Sequence, residues 1–362
     1  MKKVLLVFVT TLITLGFFAQ ELTPEEQAFQ DSIDVLNTAS AATAESQEAY
    51  NNGIALFGNE KYKEAVAAFD KSISGDSKFE AAYYNKGVAQ YQMKAYKASV
   101  ETFTKLLDIN KEHGKGYFQR AQAHQKLNNL DDAINDYDYS ILMDADNYNA
   151  YYNAGGVNFL KKDYEKAIKL FTKAIAIKPD FGDAYNDRGS SYRMLRKFDL
   201  ALADYKKAGK YMPKHAFVFN NLGAVKKMLK DFEGAKAAYG KALALDSKFY
   251  LAYNNRGAMS FEQGKYDEAL RDFDKAIEIN PKYAPAYNNR GTVKDKKKKY
   301  KEAIKDFDLA ISLNKNYANA YANRGTAKEM NRDMEGACMD WAKARELGSD
   351  VGKAYQSENC EF

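Results

Sequence analysis

Cysteine is nearly absent from this sequence: of 362 residues only Cys338 and Cys360 carry a thiol. That rules out a disulfide-dense scaffold, a four-cysteine zinc site and a cysteine-ligated iron–sulfur cluster. Proline is scarce as well, with five residues, which leaves room for many helices. The three histidines, His113, His124 and His215, are scattered and have no partner at helical spacing, so they suggest no metal site. Motifs of the G-x-S-x-G, H-E-x-x-H and Walker types are also missing. The sequence therefore offers no catalytic residue, cofactor site or metal site, and an enzyme is not expected. The formal charge of +5 is too mild to imply a nucleic-acid partner. A hydrophobic fraction of 46% suits a folded chain and argues against long disorder.

Basic residues are absent from one stretch in particular. Between Val4 and Glu60 there is no Lys or Arg, while Glu21, Glu25, Glu26, Asp31, Asp34, Glu45, Glu48 and Glu60 are acidic. The mild total thus hides −8 followed by +11 over the remainder. Ahead of the acidic stretch, Lys2 and Lys3 precede an uncharged run from Val4 to Phe18 and then Ala19-Gln20. A basic start, a short apolar core and a small residue at the cut describe a secretory signal peptide over residues 1–19. The run is too short for a membrane span, and no cysteine near the cut suggests a lipid anchor. Thr23-Pro24-Glu25-Glu26 resembles a capping box, so residues 20–45 read as a short acidic helix and linker.

The rest of the chain is governed by a period of 34. In blocks starting at Ser46, position 8 is Gly53, Gly87, Gly155, Gly189, Gly223, Gly257, Gly291 and Gly325, with Ala121 in the third block. Position 20 is Ala65, Ala133, Ala167, Ala201, Ala235, Ala269, Ala303 and Ala337, with Ser99 in the second. Position 24 is aromatic nine times: Phe69, Phe103, Tyr137, Phe171, Tyr205, Tyr239, Phe273, Phe307 and Trp341. Small residues at 8 and 20 let two antiparallel helices approach, and the aromatics at 17 and 24 fill the space between neighbouring hairpins. Pro179, Pro213 and Pro281 fall at position 32, where a second helix must stop.

These residues resemble the tetratricopeptide repeat, a helix–turn–helix unit of 34 residues. The resemblance covers residues 46–351 as nine copies: 46–79, 80–113, 114–147, 148–181, 182–215, 216–249, 250–283, 284–317 and 318–351. It implies an all-α solenoid, a right-handed superhelix of helical hairpins. The first helix of each pair would line a concave groove, and residues 352–362 would cap the C-terminal end.

In that frame position 6 is amide-rich: Asn51, Asn85, Gln119, Asn153, Asp187, Asn221, Asn255, Asn289 and Asn323. An amide can donate and accept at once, so such a ladder could hold a peptide of any sequence by its backbone. The same residues could instead bond a neighbouring helix. Position 5 changes from Tyr50, Tyr84, Phe118 and Tyr152 to Asn186, Asn220, Asn254 and Asn288. Position 12 carries Phe57, Tyr91 and Phe159 early, then Arg193 and Lys227. An aromatic first half and an amide-rich or basic second half of the groove are expected; the alternative is that several aromatics belong to the core. No repeat has Lys at position 5, which argues against the carboxylate-clamp variety of the family.

Lys294, Lys296, Lys297, Lys298, Lys299 and Lys301 form a basic run, read as a solvated turn or as a docking patch for an acidic partner. In an oxidising compartment two lone cysteines 22 residues apart favour a Cys338–Cys360 disulfide over two free thiols. Together these features point to an exported bacterial protein, in the periplasm of a Gram-negative cell, that scaffolds protein–protein contacts. Its partner would be a protein or extended peptide held in the groove. Glycan capture on the aromatic half, or a structural role in a secretion or outer-membrane assembly complex, are the alternatives.

Overall fold

The structure is a computed structural model that describes residues 44–350 and Cys360. The expected signal peptide, the acidic lead up to residue 43 and most of the C-terminal cap lie outside the described residues. Among the described residues there are eighteen helices and no strand. They run α1 (Ala44–Gly58), α2 (Tyr62–Gly75), α3 (Glu80–Gln92), α4 (Tyr96–Ile109), α5 (Gly114–Lys126), α6 (Leu130–Met143), α7 (Tyr148–Leu160), α8 (Tyr164–Ile177) and α9 (Gly182–Met194). They continue as α10 (Phe198–Tyr211), α11 (Ala216–Met228), α12 (Phe232–Leu245), α13 (Tyr250–Glu262), α14 (Tyr266–Ile279), α15 (Ala284–Lys296), α16 (Tyr300–Leu313), α17 (Ala318–Met330) and α18 (Met334–Glu346). The helices keep the register of the 34-residue blocks, one odd-numbered and one even-numbered helix per block.

Two compact units result, one ending at Val157 and one beginning at Asn158, so the boundary falls inside α7. In the first unit, α1–α2, α3–α4 and α5–α6 pack as hairpins, and α2 on α3 and α4 on α5 join them. In the second, α9 to α18 pair in the same way, with α8 packed on α9. Successive first helices also touch within each unit, as in α3–α5 and α11–α13.

The aromatic at position 24 packs between neighbouring hairpins as the spacing suggested, since Tyr205, Tyr239, Phe273 and Phe307 share core clusters with Val225, Met259, Val293 and Ala327 of the next hairpin. In seven hairpins its ring also lies against the glycine at position 8 of its own hairpin. A Cβ on Gly53, Gly223 or Gly291 would sit 2.5, 2.7 or 2.8 Å from a ring carbon of Phe69, Tyr239 or Phe307. Only hydrogen fits in that gap. The position-20 residues are fully enclosed, Ser99 included, whose hydroxyl donates to the Gly87 carbonyl at 2.8 Å. A serine therefore replaces alanine without leaving a buried polar atom unpaired.

Two kinds of turn set the register. Within hairpins, Glu60, Lys94, Asn128, Lys162, Arg196, Lys230, Gly264, Lys298 and Arg332 all have positive φ at position 15. The N–H of Glu60 reaches the Phe57 carbonyl and that of Lys61 the Leu56 carbonyl, which closes α1 as a Schellman motif. Between hairpins, the residue after the second helix is extended. Its side-chain oxygen accepts the N–H two residues on at Asp76, Asn110, Asp144, Asp246, Asn280 and Asn314.

Candidate partner-binding face

The asparagines at positions 5 and 6 are linked from repeat to repeat. In the second unit the side chain of Asn221 donates to Asn186 Oδ1 at 2.9 Å, and Asn255 to Asn220 Oδ1 at 2.9 Å. Asn289 donates to Asn254 Oδ1 and Asn323 to Asn288 Oδ1, both at 3.0 Å. Each bond spans 35 residues and ties one first helix to the next. The position-5 partners are buried, whereas Asn221, Asn255, Asn289 and Asn323 stay half-buried on the first-helix face. A ladder exists, and its donors are already engaged in holding the helices together. Asn221, Asn255 and Asn323 keep the acceptor end of the amide for the face, whereas Asn289 Oδ1 accepts from the Asn288 side chain at 3.4 Å.

The first unit makes this kind of link with different chemistry, since Asn85 donates to the Tyr50 hydroxyl at 2.8 Å and is itself buried. Here the expectation of an aromatic groove is corrected. Tyr50 and Tyr84 have no exposed surface. Their rings pack on Phe69 and Phe103, with centroids 5.8 and 5.9 Å apart. Burial pushes the phenol of Tyr50 well above its ordinary pKa. Position-12 aromatics turn to the hairpin end, edge-on to position 17, in Phe57–Tyr62, Tyr91–Tyr96 and Phe159–Tyr164. These rings are packing. Tyr152 and Asn153 are half-buried on α7, and Asn51 is exposed and accepts from Gln47.

On the first-helix face of the second unit lies a cavity of about 290 Å³. Arg193, Asn220, Asn221, Lys227, Tyr239 and Asn255 line it. Two cations, three amides and a phenol converge there, drawn from positions 12, 5, 6 and 24. The ladder residues Asn221 and Asn255 thus sit in a concavity, together with the basic position-12 pair that the sequence places only in repeats five and six.

A second network was not anticipated from the sequence. Arg120, Arg188, Arg256, Arg290 and Arg324, all at position 7, grip Asp136, Asp204, Asp272, Asp306 and Asp340 at position 23. Both ends are bidentate, with N···O distances of 2.6–2.9 Å. The carboxylates are almost fully buried. Each guanidinium also lies over the tyrosine three residues earlier, 5.4–5.6 Å from the ring centre. Arg290 and Arg324 extend a third contact to Asp274 and Asp308 of the preceding hairpin. The signal was present, because Arg and Asp recur together at a spacing of 16 in the same five blocks.

Three of the six lysines of the basic run of repeat eight are committed to the scaffold. Lys294 pairs with the buried carboxylate of Asp306 at 2.7 Å, Lys297 with Asp267 of the preceding hairpin, and Lys299 with Glu302 at 3.5 Å. Lys298 occupies the turn with φ 59°. Cys338 and Cys360 are joined as a disulfide, with Cα atoms 5.8 Å apart, beside Ala337 and Trp341. Among the described residues no group of His, Cys, Asp and Glu side chains could hold a metal ion, and no helix is long and apolar enough to cross a membrane.

A repeating helical hairpin with these marks defines an interaction solenoid. The tetratricopeptide-repeat pattern matches residues 50–113, 118–180, 218–249, 250–283 and 284–317, more than half of the chain. The chain belongs to the tetratricopeptide-repeat family. No curated protein matches it. Among solved structures, it is similar to a tetratricopeptide repeat protein from Parabacteroides merdae, at 21% identity and a TM-score of 0.59, over 68% of this chain and 99% of that one. It is also similar to PilW, a type IV pilus biogenesis factor, at 20% identity and a TM-score of 0.52, over 57% and 97% of the two chains. For PilF of Pseudomonas aeruginosa the figures are 22% and 0.50, over 58% and 97%. At these identities the likeness is one of fold.

Proposed function

We propose that this chain is a non-catalytic scaffold of the bacterial envelope that holds an extended segment of a partner protein against the first helices of its second unit. Membership of a repeat family built for protein contacts supports the general reading. The observation that carries the finer one is the cavity among Arg193, Lys227 and the amide ladder, where half-buried acceptors recur once per hairpin. Amide oxygens at that interval suit the N–H groups of an extended peptide. Glycan capture has less support, because stacking needs open rings and Tyr50 and Tyr84 are enclosed. Export is supported by the basic and apolar start of the sequence and by the Cys338–Cys360 bridge, which suits an oxidising compartment.

Photo-crosslinking in intact cells tests the reading. A crosslinking residue at Ala224, which lines the cavity, is expected to capture a partner that one at the exposed Lys207 of α10 does not. Capture from Lys207 alone would overturn it and favour the second-helix surface. N-terminal sequencing of the periplasmic fraction is expected to find a chain that starts after Ala19.

A further inference from the structure

The cavity in the second unit has a charge character of its own. Arg193 and Lys227 contribute two cations to its wall, and no carboxylate lines it. The Nε of Arg193 is buried and meets no hydrogen-bond acceptor. Lys227 shares Glu262 with Lys230, at a long 3.8 Å, and Lys230 is the closer partner. Asn220 has its Oδ1 taken by Asn255, so the group it can offer is its NH₂. The Tyr239 phenol is 1% exposed, its pKa pushed up by burial and drawn down by the nearby Arg193. Arg193, Lys227 and the Asn220 NH₂ are donors, and they make the site electropositive beside the acceptor ends of Asn221 and Asn255.

We infer that this cavity seats a side-chain carboxylate, so that the extended partner carries an Asp or Glu as its anchor. The inference rests on the peptide-holding role proposed above and adds a specificity to it. Arg193 supplies the planar donor set that suits a carboxylate. Lys227 adds a point charge, and Asn220 and Tyr239 complete the shell. Met228 lines the same cavity and is 40% exposed, and Met194 beside Arg193 is 46% exposed. An apolar partner residue next to the acid would cover this methionine rim. The site differs from the family's carboxylate clamp, since its cations stand at position 12 and its phenol at position 24. Asp187, at position 6 of repeat five, closes the amide ladder with a like charge on one side. The partner would then run from the anchor toward Asn289 and Asn323.

The experiment is selection of a random peptide library, displayed with its C-termini fused so that no chain terminus can stand in for a side chain. The bait is the folded, disulfide-intact mature chain. Selected peptides are expected to share an Asp or Glu at one fixed position. Changing that residue to Gln or Asn in C-amidated synthetic peptides should weaken binding about tenfold or more, the range of a charge-assisted hydrogen bond. With Arg193→Glu plus Lys227→Glu the preference at that position should turn to Lys or Arg, a gain that an unfolded variant could not give. Peptides that bind without an acidic preference would overturn the anchor and leave the peptide-holding role standing. A preference unmoved by the charge reversal would overturn the location. Failure to select any peptide would overturn the groove reading together with the anchor.

Discussion

The two units solve one problem with different side chains. Successive first helices must be tied together at positions 5 and 6. In the first unit the tie is Asn85 on the Tyr50 hydroxyl, with both residues buried; in the second it is Asn on Asn, four times over. A tyrosine at position 5 fills the space above the position-24 ring and closes the face. An asparagine reaches its neighbour but fills less volume, so the face stays polar and, around Arg193 and Lys227, hollow. Position 5 therefore decides whether a repeat is packed or recessed, and the change from Tyr to Asn coincides with the appearance of a site. In the second unit the lost aromatic packing is offset elsewhere. Four of its hairpins carry the Arg–Asp clasp, against one clasp and one Lys86–Asp70 pair at position 7 of the first.

The largest effect should come from breaking a clasp. Asp306→Ala leaves Arg290 and Lys294 without their buried carboxylate, and an unpaired buried charge costs about 3–5 kcal/mol. Urea unfolding should report that loss. Replacing Arg290 and Asp306 together by apolar residues should cost less than Asp306→Ala alone, because Lys294 is then the one cation of the pair left without its buried carboxylate. Reducing the Cys338–Cys360 bridge should cost about 3 kcal/mol in the chain-entropy account, felt in the last repeat. Hydrogen exchange should place that loss in α17 and α18. Gly291→Ala should destabilise by about 1–3 kcal/mol, since its Cβ would press on the Phe307 ring. Any gain in helix propensity opposes this and sets the lower bound. At the ties themselves, Asn85→Ala should cost more than Asn255→Ala. The first removes two bonds from a residue 2% exposed, the second one bond at a half-buried site. Equal losses would mean that the closed and open faces do not differ in rigidity.

Much of the architecture was legible because it is carried by local repetition. Gly at 8, Ala at 20 and an aromatic at 24 impose the same hairpin wherever they recur, and the helices begin and end where the period requires. The ladder was legible as a pattern but its partners were not. Asn221 reaches Asn186 across 35 residues, and a sequence gives no sign of which helix an amide will face. Tyr50 and Tyr84 misled for a related reason. A tyrosine at position 5 can point to solvent or lie under the position-24 ring, and only the packed hairpin decides. The clasps were readable in principle, as paired Arg and Asp at a spacing of 16, but the pairing emerges only when covariation between blocks is sought across both helices. The left-handed residue at position 15 left no mark at all, because eight of the nine are ordinary side chains where glycine was the only recognisable cue.

The smallest effect expected is one of pH, and it singles out the first unit. His113 precedes α5, its Nδ1 accepts the N–H of Gly116 at 2.9 Å, and its ring lies 5.5 Å from that of Tyr84. Only the neutral imidazole can accept that bond, and burial lowers the His113 pKa below its ordinary 6.5. Above about pH 6.5 the residue is neutral folded and unfolded, and its contribution is fully present. As the pH falls below 6.5 the unfolded chain takes up a proton that the native one resists, so stability declines until the native pKa is reached and then levels off. His113→Asn keeps a side-chain acceptor at the helix start and removes the titration. Denaturation profiles between about pH 8 and pH 5 should therefore be steeper for the native sequence than for the variant. The divergence should begin near 6.5 and appear in the amides of α4 and α5. Parallel profiles would mean that His113 gains its proton without losing its place at the helix start, and that the closed face of the first unit owes nothing to it.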